Sequence, residues 1–556
     1  MEGEINMNKL FKNLSIVLFS FILPSCSFSY EESDKQESNI TSETTEITTE
    51  ETDVDGYFFD SNSSSGDGSF EHPYSDLSLI SSLDFQEKRN VYLKRGSQFK
   101  GSLSLSNMSG SEEKPIVITS YGEGERPKID GDNLVGSGVL SLTNCSHIFI
   151  SDLELFDSAT EEGDRRGVYL LANNPDNNNE VKTYKNITLE NLYIHDIHGI
   201  TDKENSGMSS ESKRTGGIHF GSLDGKGRFS SLTIRKCKIE RVSNVGIASW
   251  YQIGALSKKI SPYSEKFKDY AHTDVTIEEN EICYIGKNAI FARNLLGGHI
   301  TKNLVYETAI ECVSGNSIVT SYVDGTVVEY NEGHHNRATV RESDGKLQDG
   351  CMLDADLQSK DTIWQYNYSH DNSFGLFLNC TSYDETNGIL DHVIVRYNLS
   401  VNDLGNKGII YINYKAKMIE VYNNTIVTGY DTKTIFQTNS QTNSMFANNL
   451  IYNRSSKALF NLSSTSNSDI SNNLVYSIKQ GQIEQFNDFS NRNTDGVYQD
   501  PTFITEIPED AENDMMSAVY YQLSEDSCAY GSAREIAEVP DFFGNQYKNC
   551  IGFCCV

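Results

Sequence analysis

One short pattern recurs eleven times along this chain: an apolar residue, two polar residues, then asparagine or a small apolar residue at a turn. It runs Ile150-Ser-Asp-Leu153, Leu189-Glu-Asn-Leu192, Ile234-Arg-Lys-Cys237, Ile277-Glu-Glu-Asn280, Ile300-Thr-Lys-Asn303 and Val328-Glu-Tyr-Asn331. It continues Trp364-Gln-Tyr-Asn367, Val395-Arg-Tyr-Asn398, Val421-Tyr-Asn-Asn424, Phe446-Ala-Asn-Asn449 and Ile470-Ser-Asn-Asn473. The fourth positions are spaced by 39, 45, 43, 23, 28, 36, 31, 26, 25 and 24 residues. A floor of roughly two dozen residues with variable insertions is the mark of a solenoid whose coil has a fixed minimum length. Short strands of period 2 would stack coil on coil at ~4.8 Å. The expected fold is therefore all-β, a single-stranded right-handed parallel β-helix of about 11 or more coils.

Asparagines stacked at a turn can bond side chain to side chain and satisfy backbone groups that the bend buries. The eight from Asn280 to Asn473 are accordingly expected to be structural. A chain of 556 residues with only 9 prolines against 41 glycines, and no second composition type after residue 56, fits one elongated repeat body better than several globular domains.

The start reads as an export signal. Lys9 and Lys12 precede the apolar run 14–23, which is too short to span a bilayer. The run ends in Leu23-Pro24-Ser25-Cys26, similar to the lipobox of bacterial lipoproteins, in which the cysteine is lipidated. Residues 31–55 hold ten acidic side chains and one lysine, with almost no large apolar residues, and read as a solvated tether. Setting its net −9 aside from the chain's −32 leaves −23, a surface that repels nucleic acid. The expected organisation is a signal over 1–26, an acidic linker over 27–56, an N-terminal cap with the first coils over 57–140, the β-helix over 141–500 and a C-terminal cap over 501–556. The chain is expected to be extracellular or at the cell surface, monomeric, and tied to a membrane only through Cys26. Of the eleven cysteines, Cys528, Cys550, Cys554 and Cys555 crowd the C-terminus, where a disulfide or two is expected. Cys237, Cys283, Cys312, Cys351 and Cys380 read as small core residues.

Residues 57–127, with Gly66-Asp67-Gly68, His72-Pro73-Tyr74 and Tyr121-Gly122-Glu123-Gly124, resemble the N-terminal cap of pectate-lyase-like β-helix proteins. Tyr366-Asn367-Tyr368-Ser369-His370-Asp371-Asn372 resembles their coil signature. Asp500-Pro501-Thr502-Phe503 and Asp541-Phe542-Phe543-Gly544-Asn545 resemble their close. The resemblance spans about 57 to 553 and implies a carbohydrate-active protein on this fold. Relatives often show an Asp-Gly-x-x-x-Asp-x-Asp stretch like 349–356, which does not separate hydrolase from lyase.

The long spacings lie between residues 153 and 280 and between 331 and 367, so the loops they add would wall a groove over the middle coils. Aligning one strand per coil on its opening Gly or Ala places His219, Trp250, Arg293, Asp354, Asp356 and Asn379 on one outer face. Asp354 and Asp356 face the same way, with Cβ atoms ~6.6 Å apart. Such a pair suits a glycosidase in which one carboxyl protonates the leaving oxygen and the other activates water. With Asp349 it would equally hold Ca²⁺. Trp250, followed by Tyr251, offers a sugar an apolar platform, whereas Trp364 falls on an inward position. Arg293 would pair with Asp354, hold a substrate carboxylate or act as a lyase base. His219 would contact substrate at the far end of the groove. His334, His335 and His370 read as turn residues with structural hydrogen bonds, and Glu311, Glu332 and Glu342 are reserve carboxylates.

The leading expectation is a glycoside hydrolase that cleaves a polysaccharide with Asp349, Asp354 and Asp356 and needs no cofactor. The alternatives are a Ca²⁺-dependent polysaccharide lyase, with Arg293 or Lys407 as base, and a non-catalytic glycan binder or adhesin.

Overall fold

The structure is a computed structural model that describes residues 55–64, 66–86, 88–201, 214–251, 261–339, 349–381, 390–413, 416–439, 443–463, 467–478, 486–505, 514–546 and 548–554. Within residues 47–556 the chain winds through three long parallel sheets of 16, 13 and 12 strands, visited in the same order in successive coils. The first sheet runs from Tyr57–Phe59 to Asn467–Ser471, the second from Gln98–Lys100 to Leu474–Ser477, and the third from Leu103–Ser106 to Leu459–Leu462. This is the parallel β-helix expected from the repeat. Among the described residues no helix is long and apolar enough to cross a membrane.

Each coil uses the period-2 alternation to fill its interior. On the third sheet Ile218, Ile247, Ile290, Ile318, Leu353, Phe377, Ile410 and Phe436 lie in unbroken register and are fully buried. Burying each such side chain contributes about 1.5–3 kcal/mol. The corner between the first and second sheets carries the repeat motif. The residue before the motif's last position is left-handed, as in Lys236, Glu279, Lys302, Tyr330, Tyr366 and Tyr397, all at φ between 52° and 56°. A non-glycine residue pays roughly 1–2 kcal/mol for that conformation. The asparagine that follows offsets the cost: each of Asn280, Asn303, Asn331, Asn367, Asn398, Asn424 and Asn449 donates Nδ2 to the Oδ1 of the next at 2.9–3.0 Å. The same Oδ1 atoms accept the backbone N–H of the preceding rung. The ladder extends one rung past the motif, from Asn473 to Asn493 at 3.1 Å. Asn336, Asn372 and Asp403 form a shorter ladder at the next corner.

The ends of the core are closed by apolar plugs. Leu77 and Ile80, on the turn Leu77–Ser82, pack into the first coils with Phe85 and Phe59. At the other end the short helix Asn487–Arg492 brings Phe489 against Phe460, ring centroids 3.9 Å apart, with Phe486 beside it. The segment after residue 500, expected as a terminal cap, lies along the flank. Ala518, Tyr521, Phe542 and Phe553 pack on Tyr366, Tyr368, Tyr397 and Tyr422. Tyr366 donates to Pro540 O at 2.8 Å and Asn423 to Cys550 O at 2.8 Å. Cys550 is disulfide-bonded, whereas Cys237, Cys312 and Cys351 are buried thiols.

Candidate active site

The site is read from the outer face of the third sheet. Next to the inward column stands an outward one, in register: Tyr169, His219, Ala248, Phe291, Val319, Asp354, Leu378 and Tyr411. Asp354 is the one carboxylate in this row. Its neighbours are apolar and, although they point away from the core, covered: Ala248, Phe291 and Val319 form one small cluster with Val245, and Leu378 forms another with Cys351, Phe374 and Tyr411. The chain connections that enter and leave this sheet carry the long insertions, including 202–213, 252–260, 340–348 and 382–389, which lie outside the described residues.

That apolar setting decides the state of Asp354. The side chain is 6 % exposed. Oδ2 accepts Asn316 Nδ2 at 2.7 Å, while Oδ1 is buried with no hydrogen-bond partner. Burial holds its pKa well above the usual carboxylate range; the charges of Asp356 and Asp349 push the same way, and the Asn316 hydrogen bond and Lys407 oppose it. Burial of this kind favours the neutral, protonated form of the carboxyl over the charged one. Asp349 and Asp356 are more open. Asn316 also sets the turn that carries Asp349, because its Oδ1 accepts the backbone N–H groups of Gly350 at 3.2 Å and Cys351 at 2.9 Å. Gly350 sits at φ +114°, and a Cβ there would meet Asn336 O at 2.9 Å, so the position admits only glycine without strain. Asp356 follows the strand Leu353–Ala355, its backbone N–H on Thr320 O and its Oδ1 accepting Leu357 N–H at 2.7 Å.

Two cations flank the cluster. Arg293 lies over the Tyr322 ring, 4.1 Å to the centroid, and burial brings its pKa down to about 10 against the opposing pull of Tyr322 and Asp356. Asp356 is thus the aspartate whose charge bears on Arg293. Lys407 stands 5.1 Å over Phe374. Farther along the same column His219 is buried against Tyr169, centroids 5.4 Å apart, and the Arg166 guanidinium lies over the Tyr169 ring, 4.1 Å to the centroid. Burial, then Arg166 and Arg214, hold the His219 pKa well below the ordinary value, so it is a neutral imidazole, and its Nδ1 makes no hydrogen bond.

Several expected positions fall elsewhere. Asn379 does not join the outer face: its register partners are Ala355 and Ile412, in the inward column, and its Oδ1 accepts Asn413 N–H at 2.7 Å. The backbone of Trp250 pairs with Gly221 and that of Tyr251 with Ser222, but both side chains lie outside the described residues, as do Cys26 and Glu342. Trp364, by contrast, is fully buried as its inward position implied, its Nε1 donating to Thr362 Oγ1. Glu311 is taken up by Thr201 and Ser243 at a corner. His334 and His370 lie on strands of the second sheet, not in turns; only His335 occupies a bend, with φ 53°. Asn316, which grips both Asp354 and the Asp349 turn, was not singled out from sequence, because a Gly-Asn pair before a strand carries no periodic signal.

No family model matches the chain. A lacto-N-biosidase of Bifidobacterium longum subsp. longum is 24 % identical over 461 residues, 68 % of this chain and 27 % of that protein, so the chain spans about a quarter of its relative's length. Two crystal structures of the GH136 lacto-N-biosidase from Eubacterium ramulus superpose with a TM-score of 0.55 at 23 % and 22 % identity, covering 69 % of this chain and 65 % of theirs. At that identity the likeness establishes the shared β-helix fold.

Proposed function

We propose that this protein is a glycoside hydrolase that cleaves a glycan laid over the outer face of the third sheet, with Asp349 and Asp356 as the carboxylates that touch the sugar. The observation that carries the reading is the aspartate cluster itself: a buried Asp354 flanked in sequence by two more open carboxyls, Asp349 and Asp356. Glycoside cleavage asks one carboxyl to place a proton on the leaving oxygen while the other works from the opposite side of the ring as base or nucleophile. The C1–O bond breaks, the leaving oxygen takes the proton, and water supplies the hydroxyl at C1. Asn316 orders the cluster by holding both Asp354 and the turn that carries Asp349. The lacto-N-biosidases it resembles make a lacto-N-bioside the first substrate to try, beside neutral polysaccharides.

A lyase is the second reading, favoured by Arg293 and Lys407 beside the aspartates, with Ca²⁺ bound among Asp349, Asp354 and Asp356. Export, with Cys26 as lipid anchor, belongs to the proposal and is checked by fatty-acid labelling of the wild-type chain against Cys26→Ala.

The test is product release from a chromogenic lacto-N-bioside, neutral glycans and uronate polymers, with and without chelator, read by reducing ends and by ultraviolet absorbance. Reducing ends without absorbance are expected. Asp349→Asn and Asp356→Asn should each cost about 10²–10⁴-fold in kcat. Full activity in both variants would remove the site assignment, and chelator-sensitive absorbance would replace hydrolase with lyase.

A further inference from the structure

On the second sheet, away from the aspartates, Glu332, His334 and His370 bring three metal-ligating atoms within 4.8 Å of one another. The arrangement follows from strand geometry. Glu332 and His334 sit two residues apart on Glu332–His334 and so share a face, and His370, on Tyr368–His370, is the register partner of His334 in the next coil. The two imidazoles stack at 4.7 Å and 17°, with Tyr306 continuing the stack beyond His334 at 4.9 Å.

We propose that this triad is a binding site for a divalent transition-metal ion of the Zn²⁺ class. His370 Nδ1 meets Asp371 Oδ2 at 2.9 Å, which leaves Nε2 directed at Glu332 Oε1, 3.4 Å away. An imidazole whose Nδ1–H is held by a carboxylate presents the Nε2 lone pair, the arrangement that supports metal-bound histidines in general. In the neutral tautomer that lone pair faces a carboxylate oxygen, a contact that a cation between the two atoms makes attractive. Two imidazole nitrogens and one carboxylate oxygen select Zn²⁺, Ni²⁺ or Cu²⁺ over Ca²⁺ or Mg²⁺, which take oxygen sets. Metal–nitrogen bonds of roughly 2.0–2.1 Å ask tetrahedral ligand atoms to approach to about 3.3 Å. A tilt of His334, which is only half-buried, brings its nitrogen in. The fourth position is left to water or to a small ligand.

The position gives the ion a task. Glu332 Oε2 accepts the backbone N–H of Met515 at 3.0 Å, and Tyr368 OH meets Ser517 Oγ at 3.0 Å. Both contacts belong to the turn Met515–Tyr521 of the C-terminal segment that lies along the flank. An ion on Glu332 Oε1 orients the carboxylate whose other oxygen holds that segment, so metal binding and docking of the segment reinforce each other.

The experiment uses the full chain, stripped with chelator and titrated with Zn²⁺ by calorimetry, and with Co²⁺ as a spectroscopic stand-in. Expected are about one Zn²⁺ per chain, a tetrahedral Co²⁺ absorption band, and a rise in Tm on Zn²⁺ addition that chelator reverses. His370→Ala and His334→Ala should each abolish the Co²⁺ band, and Asp371→Asn should weaken Zn²⁺ about 10–100-fold. Absence of the Co²⁺ band in the wild-type chain overturns the proposal and leaves His370 as an imidazolium bridging Asp371 and Glu332. Zn²⁺ binding that survives both histidine variants overturns it as well. The wild-type spectrum decides even where a variant fails to fold, and glycan cleavage enters none of these readings.

Discussion

Asp354 shows how one side chain's surroundings set its chemistry. Its folded-state pKa is raised above 3.8 chiefly by burial, so folding takes up a proton as pH rises from the unfolded value toward the folded one. The favourable share is complete below about pH 4 and is lost progressively as pH climbs to the folded pKa. Asp354→Asn keeps the Asn316 contact and removes the ionisable group. Its Tm should match that of the wild type near pH 4 and exceed it increasingly toward pH 8, as measured by thermal melts across that range. A Tm difference independent of pH would mean that Asp354 is not held protonated. The same scale explains why Asn379 was placed on the wrong face. Counting from the opening glycine assumes turns of equal length, yet the inward residue is the first after Gly246 (Ile247), the second after Gly375 (Phe377) and the third after Gly350 (Leu353). One residue more or fewer reverses every side chain that follows.

At the scale of the element, the corner between the first and second sheets is a pairing of strain and compensation. Tyr366 takes the left-handed conformation, and Asn367 then donates Nδ2 to Val328 O, Gln365 O and Asn398 Oδ1 while its own Oδ1 accepts from Asn331. Asn367→Ala would strand several of these buried groups, each costing about 1–3 kcal/mol. A loss of more than about 3 kcal/mol in denaturant unfolding is expected, against under ~1 kcal/mol for an Ala substitution at an exposed strand position. A loss as small as the exposed control would show that water replaces the ladder. The ladder was legible because its residues recur in sequence with the coil. His334 and His370 were not legible as strand residues: they stand 36 positions apart and become neighbours only through the register of two coils.

For the whole molecule, the unfinished ends matter most, since a stack of coils exposes an open core and unpaired strand edges at each terminus. Phe489 plugs one end against Phe460. Phe489→Ala should cost about 3–5 kcal/mol, read by chemical denaturation, and should raise dimer or aggregate content in light scattering. A variant as stable and as monodisperse as the wild type would assign the plug to other residues. What the sequence determined by itself is the repeat: coil length, the inward apolar columns and the asparagine ladder, because each depends on local alternation and on identical residues meeting themselves one coil later. Tertiary structure alone decided which carboxyl is buried, that the C-terminal segment lies along the flank, and that a glutamate and two histidines share one spot. Those outcomes depend on turn lengths and on contacts across coils, where a single residue's difference in a turn changes the face, and so the dielectric surroundings, of every group after it.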